Sequence, residues 1–228
     1  MPTTLKDKIR KTTWELIGKG INDETPVINP FKKSKLTFNY SKINKKYHAS
    51  QNPDDLITLY KGARIGYENQ GFVSMALRRC LPEHIIEVKE IIEKGDDSLL
   101  DELFDEHISY YSYTGLLSAT FNPETAQGFA TTHPIMKKRE PKTIYQIKLK
   151  ANRCVFNYHD TGHCGHGKEI LALGAIFPEE ISAVKIINDD SHSELMSSDG
   201  RFIRHFADKN SQNTNIKDST NWHYLNTS

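Results

Sequence analysis

Hydrophobic positions along this chain follow helical spacing in its first half and strand spacing in its second. Residues 4–17 carry Leu5, Ile9, Trp14 and Leu16 among basic residues, the pattern of a modest amphipathic helix. Residues 20–55 are rich in Asn, Lys, Ser and Pro and read as loop with little regular structure. Ile57 to Lys61 is a short alternating strand that ends at Gly62. Over 82–106 the spacing predicts helix: Pro82 suits a first helical position, and the stripe Ile85, Ile86, Val88, Ile91 and Ile92 stops at Gly95. A second helix is expected over 98–108, with Leu99, Leu100, Leu103 and Phe104 on one side.

From 113 onward short strands and turns take over. Tyr113 to Thr120 reads as a strand, and Asn122-Pro123-Glu124 opens a capped helix running to about Ala130. Thr143 to Leu149 alternates cleanly, and further strands fit 154–157, 169–173, 183–187 and 201–206. Residues 208–228 hold too little apolar content to pack alone and are expected to be mobile. Helices first and strands later predict an α+β domain over 56–207, with 1–55 packing on it.

Composition narrows the function classes. Thirty basic against twenty-nine acidic residues leave a formal charge of +1, so no long-range field draws in nucleic acid or an anionic membrane. A hydrophobic fraction of 37% can fill a core, while a mean hydropathy of -0.60 implies a polar surface. Three cysteines, Cys80, Cys154 and Cys164, cannot build a disulfide framework and suit a reducing compartment. No apolar run reaches transmembrane length, and the first twenty residues lack the apolar centre of a secretory signal.

Three segments carry candidate chemistry. Leu59-Tyr60-Lys61-Gly62-Ala63-Arg64 places an arginine just past a strand. Leu117-Ser118-Ala119-Thr120-Phe121 puts hydroxyls on a strand that leads into the Asn122-Pro123 helix and its Gly128-Phe129-Ala130. Gly165-His166-Gly167-Lys168-Glu169 delivers a glutamate to the strand Ile170-Leu171-Ala172-Leu173, followed by Gly174-Ala175-Ile176. Taken singly, each has a bland reading as surface charge or ordinary strand chemistry.

Together, in this order, they resemble the Arg-Ser-Glu class of mono-ADP-ribosyltransferases across roughly residues 57–187. The third segment and Phe177-Pro178-Glu179-Glu180-Ile181 are similar to the cholera-toxin and pertussis-toxin branch, where a catalytic glutamate opens a strand followed by a glycine turn. The resemblance implies an ADP-ribosyltransferase-like fold, two packed mixed sheets around an NAD cleft with helices on the N-terminal side. It implies NAD as co-substrate, with Arg64, Ser118 and Glu169 as the catalytic set. Arg64 would hold the pyrophosphate, with Lys61 in reserve; Ser118 would orient Glu169; Thr120, Phe121 and Arg139 would complete the cofactor contacts. The loop carrying Tyr158, His159, His163, His166 and Gly167 sits where the family recognises its acceptor. By the same analogy the chain is a monomeric bacterial effector or toxin, secreted without a signal peptide and acting on a host protein in the host cytosol. Ubiquitin, a small GTPase, a G-protein α subunit and actin are the targets with precedent.

The chain departs from the family pattern at three places. Gly167 stands two before the glutamate, where arginine-modifying members have a second glutamate, so arginine as acceptor is in doubt. Ala119 replaces a threonine, and Lys61 stands where arginine is common. Attack by water or by a nucleic-acid base are alternatives within the enzyme class. Outside it, Cys154, His159, His163, Cys164 and His166 offer zinc-type ligands, and a metal-stapled interaction module is the competing expectation.

Overall fold

The computed structural model describes residues 36–64, 66–78, 82–110, 114–132, 142–157, 169–187 and 222–225. Strands occupy Leu56–Arg64 (β1), Phe72–Val73 (β2), Leu116–Thr120 (β3), Lys142–Lys150 (β4), Cys154–Phe156 (β5), Glu169–Leu173 (β6), Ala175–Ile176 (β7), Ile181–Ile187 (β8) and His223–Tyr224 (β9). Helices occupy Met75–Arg78 (α1), Pro82–Lys94 (α2), Asp97–Tyr110 (α3) and Pro123–Thr132 (α4). Seven strands form one sheet in the order β5-β6-β3-β1-β4-β8-β9, and β2 pairs with β7 in a second, small one. The α+β class follows. Every pairing among the described residues is antiparallel, which corrects the expectation of mixed sheets.

Strand alternation divides the core in two. One face of the large sheet presents Leu116, Leu171 and Leu173 to the stripes of α2 and α3, among them Ile85, Val88, Ile92, Leu100, Leu103 and Phe104. The same cluster takes in Leu36, Phe38, Tyr40, Ile43 and Tyr47, so the segment 36–47, expected as plain loop, sends five side chains into the core. The opposite face presents Leu59, Ala63, Leu117, Tyr145, Ile147, Ile170 and Val184 to Phe72 and Ile176 of the small sheet.

Buried Arg153 ties the early segment to the small sheet. Its guanidinium donates to the Leu36 and Ala175 carbonyls and to Glu180, with Nη1 2.6 Å from Oε1. A guanidinium spreads its donors over a planar fork, which suits three acceptors lying in different directions.

Most predicted elements appear, with shifts at their ends. The helical stretch from 82 divides at Gly95, whose φ of +67 breaks the ladder, and Asp96 then caps α3 by accepting from the Ser98 and Leu99 amides. The strand expected to stop at Gly62 runs on to Arg64. Glycine there serves a close approach, because α4 crosses directly above it. A Cβ at 62 would collide with the Ala126 carbonyl and lie 2.7 Å from the Ala130 nitrogen. Helix 4–17 and strand 201–206 lie outside the described residues. Of the expected tail, His223–Tyr224 is docked on β8, pairing with Ala183 and Val184. No helix among the described residues is long and apolar enough to cross a membrane.

The central feature is a seam. β1 pairs with β4 along its whole length, from Leu56–Lys150 to Arg64–Lys142, yet with β3 at Tyr60–Thr120 alone. Two half-sheets, β5-β6-β3 and β1-β4-β8-β9, are therefore joined at one residue pair. The helix above Gly62 holds one side of that join. Gly62→Ala is expected to cost about 1–3 kcal/mol through overpacking against backbone that cannot rotate away, read as a lowered urea midpoint with an unchanged m-value.

Candidate active site

The pair that joins the half-sheets also brings the predicted carboxylate to the seam. Thr120 faces Tyr60 on one side and Glu169 on the other, so three strands present one row of side chains. Ser118, two residues before Thr120, shares their face by strand alternation. α3 covers this face, and its stripe Leu100, Leu103, Phe104 continues at the next helical position with His107, which is buried.

His107 links the corner. Its Nδ1 lies 2.7 Å from Thr114 Oγ1 and its Nε2 2.9 Å from Ser118 Oγ. The same Nε2 is 3.9 Å from Glu169 Oε1. With the ring proton on Nδ1 and directed to Thr114, Nε2 accepts from the Ser118 hydroxyl. With both nitrogens protonated, Nε2 turns its charge toward Glu169. The other carboxylate oxygen is fixed independently, as Asn157 Nδ2 donates to Glu169 Oε2 at 2.6 Å while the Asn157 amide donates to the Glu169 carbonyl at 2.9 Å. Asn157 is 1% exposed, whereas the Glu169 side chain keeps 21% of its surface. A carboxylate anchored at one oxygen and open at the other is oriented without being used up.

A cation enters from the opposite face. Because β1 leaves β3 after Tyr60, the Ser118 carbonyl has no β1 ladder partner in register. Lys61 Nζ donates to it at 2.6 Å. The ammonium stands 5.6 Å from the centre of the Phe72 ring. Part of the Lys61 stem stays accessible, but the ammonium itself is enclosed. Burial pulls its pKa down to about 8, with the Glu169 charge pushing the other way.

The structure therefore gathers Glu169, Ser118 and Lys61 of the predicted residues. Thr120 is buried and its Oγ1 accepts from the Asn122 amide at 3.1 Å, so its hydroxyl serves the turn into α4. Asn122 Oδ1 in turn accepts from the Glu124 amide, the cap the sequence implied. Phe121 is half-buried against the inner cluster. Arg64 ends β1 opposite Lys142, four residues beyond the seam pair, and its side chain lies outside the described set. Arg139, Tyr158, His159, His163, His166 and Gly167 lie outside the described residues altogether.

Nothing matches the chain among family models, curated proteins or solved structures. The site stands on its own geometry. Two members of it went unread in the sequence. His107 had a signal, since a histidine at the fourth position of an apolar helix stripe is a titratable group in a core slot. Asn157 had none, because only the fold brings it beside Glu169. Among the described residues no group of three or more His, Cys, Asp or Glu side chains is arranged to hold a metal. Cys154, one of the zinc-type candidates, is buried in β5, and burial pushes its thiol up to about 12. The other four, His159, His163, Cys164 and His166, are outside the described residues.

Replacing His107 with alanine withdraws the buried ring that both Ser118 and Thr114 bond. The expected loss is about 1–3 kcal/mol in chemical denaturation. Unchanged stability would mean the ring contributes no bonding there.

Proposed function

We propose that this chain is a mono-ADP-ribosyltransferase that cleaves NAD and transfers ADP-ribose to a side chain of another protein, releasing nicotinamide. The observation that carries the reading is the Glu169 carboxylate, anchored by Asn157, partly exposed, and set beside Ser118 and His107 where the half-sheets part.

Cleaving the bond from ribose to nicotinamide leaves positive charge on the sugar, a state like that in glycoside cleavage. Glu169 opposes that charge with its open oxygen, and Asn157 keeps the oxygen from turning away as charge develops. Ser118 holds the corner between Glu169 and His107. Arg64 is assigned the pyrophosphate, with Arg139 as the second contact; a guanidinium gives the paired hydrogen bonds a phosphate accepts. Loop residues 158–167 are assigned the acceptor protein. A bacterial effector acting in a host cytosol is the biology that this reading implies, and the target protein is chosen by that loop.

A second reading draws on the 2.9 Å contact between Ser118 and His107, which is the spacing of a serine nucleophile and its base. Such a base is ordinarily oriented by a carboxylate, and here the far nitrogen of the ring meets the neutral Thr114 hydroxyl. The transferase reading gives the anchored Glu169 carboxylate and Asn157 a role that this one leaves empty, and it is preferred.

The purified chain, incubated with labelled NAD and host-cell lysate, is expected to label protein, and Glu169→Gln is expected to lower that rate about 100- to 1,000-fold. Free ADP-ribose without labelled protein would make it a glycohydrolase. Absence of any NAD turnover, with Ser118 modified by a fluorophosphonate probe, would replace this proposal with the serine-nucleophile reading.

A further inference from the structure

Lys61 occupies a position that folding alone does not account for. Strand alternation sets it on the apolar face of β1, between Leu59 and Ala63, and in register opposite Tyr145. Its ammonium is enclosed by protein, lies over the Phe72 ring, and has the Ser118 carbonyl as its hydrogen-bond acceptor. A neutral donor would satisfy the Ser118 carbonyl at lower cost, because an enclosed ammonium loses hydration that one carbonyl does not restore. Proteins keep such groups where function needs them.

We infer that Lys61 is a positioning residue whose charge is retained at the expense of stability: it holds the Ser118 segment across the open seam and places a positive charge behind the strands that carry Ser118 and Glu169, and the site needs that charge.

The groups around it support that assignment. From β4, Tyr145 is directly opposite, but its phenol stays protonated, since burial and then the Glu68 charge raise its pKa. Glu68 in the turn after β1 is itself held by the Gly66 amide and the Tyr145 hydroxyl. Tyr67 of the same turn stacks on Phe72. From α3, His107 stands beyond Ser118. From β6 comes Glu169, the carboxylate whose charge acts on Lys61. A neutral amine can still donate to the Ser118 carbonyl, so deprotonation removes the charge and spares the hydrogen bond. An arginine in this place would not titrate, which makes lysine the pH-sensitive choice.

This inference rests on the transferase reading for its catalytic consequence, but two of its measurements do not need activity. The native state holds the Lys61 proton less tightly than the unfolded chain. Wild type therefore gains stability, relative to a variant that cannot titrate, as pH climbs from about 8 toward the ordinary lysine value. The Tm of Lys61→Met minus that of wild type is accordingly expected to be most favourable at pH 7 and to shrink steadily to pH 10. In wild type labelled with carbon-13 at glutamate Cδ, the Glu169 resonance is expected to step near pH 8, and the step is expected to vanish in Lys61→Met. A Tm difference that stays flat or widens with pH, or a Glu169 resonance with no step there, overturns the inference whether or not NAD is cleaved. In the NAD assay, wild-type kcat is expected to fall about tenfold per pH unit above 8, while Lys61→Arg keeps its rate into that range. A Lys61→Arg rate that falls in parallel with wild type overturns the inference. If neither wild type nor variant cleaves NAD, the transferase reading fails alone and the first two measurements still decide the role of Lys61.

Discussion

The parting of β1 from β3 after a single residue pair is the constraint on which the rest of this structure depends. In a continuous antiparallel sheet, the next pair along would close the ladder and bury the backbone of Ser118. Here β1 instead runs with β4 under α4, and the glycine at 62 lets the helix come down onto the strand. One half-sheet carries Ser118 and Glu169, the other carries Lys61, and Tyr60 with Thr120 is the pair where they meet. An interrupted ladder leaves polar backbone without strand partners, and side chains must supply them. Lys61 does so for the Ser118 carbonyl.

Both faces of the sheet are recruited to this one break. The helical face supplies His107 at the end of an apolar stripe whose Leu100, Leu103 and Phe104 are packed in the core and fix the helix on the sheet. The opposite face supplies Lys61 over Phe72, which is fixed by stacking on Tyr67 and by edge contact with Tyr145. Neither polar group faces solvent by default. Each is carried to the seam by packing, which restricts its rotamers more firmly than a surface hydrogen bond could.

Much of this was legible in the residues, and the failures have identifiable physical causes. Long elements with clear period were read to within a few positions: α2 from its isoleucine stripe, β4 from its alternation, α4 from its Asn-Pro cap. β2, β7 and β9 were missed, since a two-residue strand has no period to detect. Gly62 reads as a terminator in the sequence because a lone sequence cannot distinguish a glycine that ends a strand from one that admits a helix. Residues 36–47 were read as loop from their polar composition, yet Leu36, Phe38, Tyr40, Ile43 and Tyr47 are core, placed by tertiary contact and not by any regular spacing. In the site, Ser118 and Glu169 were found through their order along the chain. Asn157 and His107 depend on which strands become neighbours, which order alone does not specify. Lys61 ranks behind Arg64 in the sequence because Arg64 matches the arginine that closes the corresponding phrase of the resembled family; the seam is what brings the lysine to Ser118.

The bond between Asn157 and Glu169 does more than orient a carboxylate. These two residues flank the segment 158–168, and they meet through two contacts, amide to carbonyl at 2.9 Å and side chain to carboxylate at 2.6 Å. The chain thus leaves the sheet and returns to it at one point, and that point is Glu169. The end of β5 and the start of β6 are thus locked to each other by backbone and side chain together, so the rotamer of Glu169 is set by the same pairing that builds this edge of the sheet.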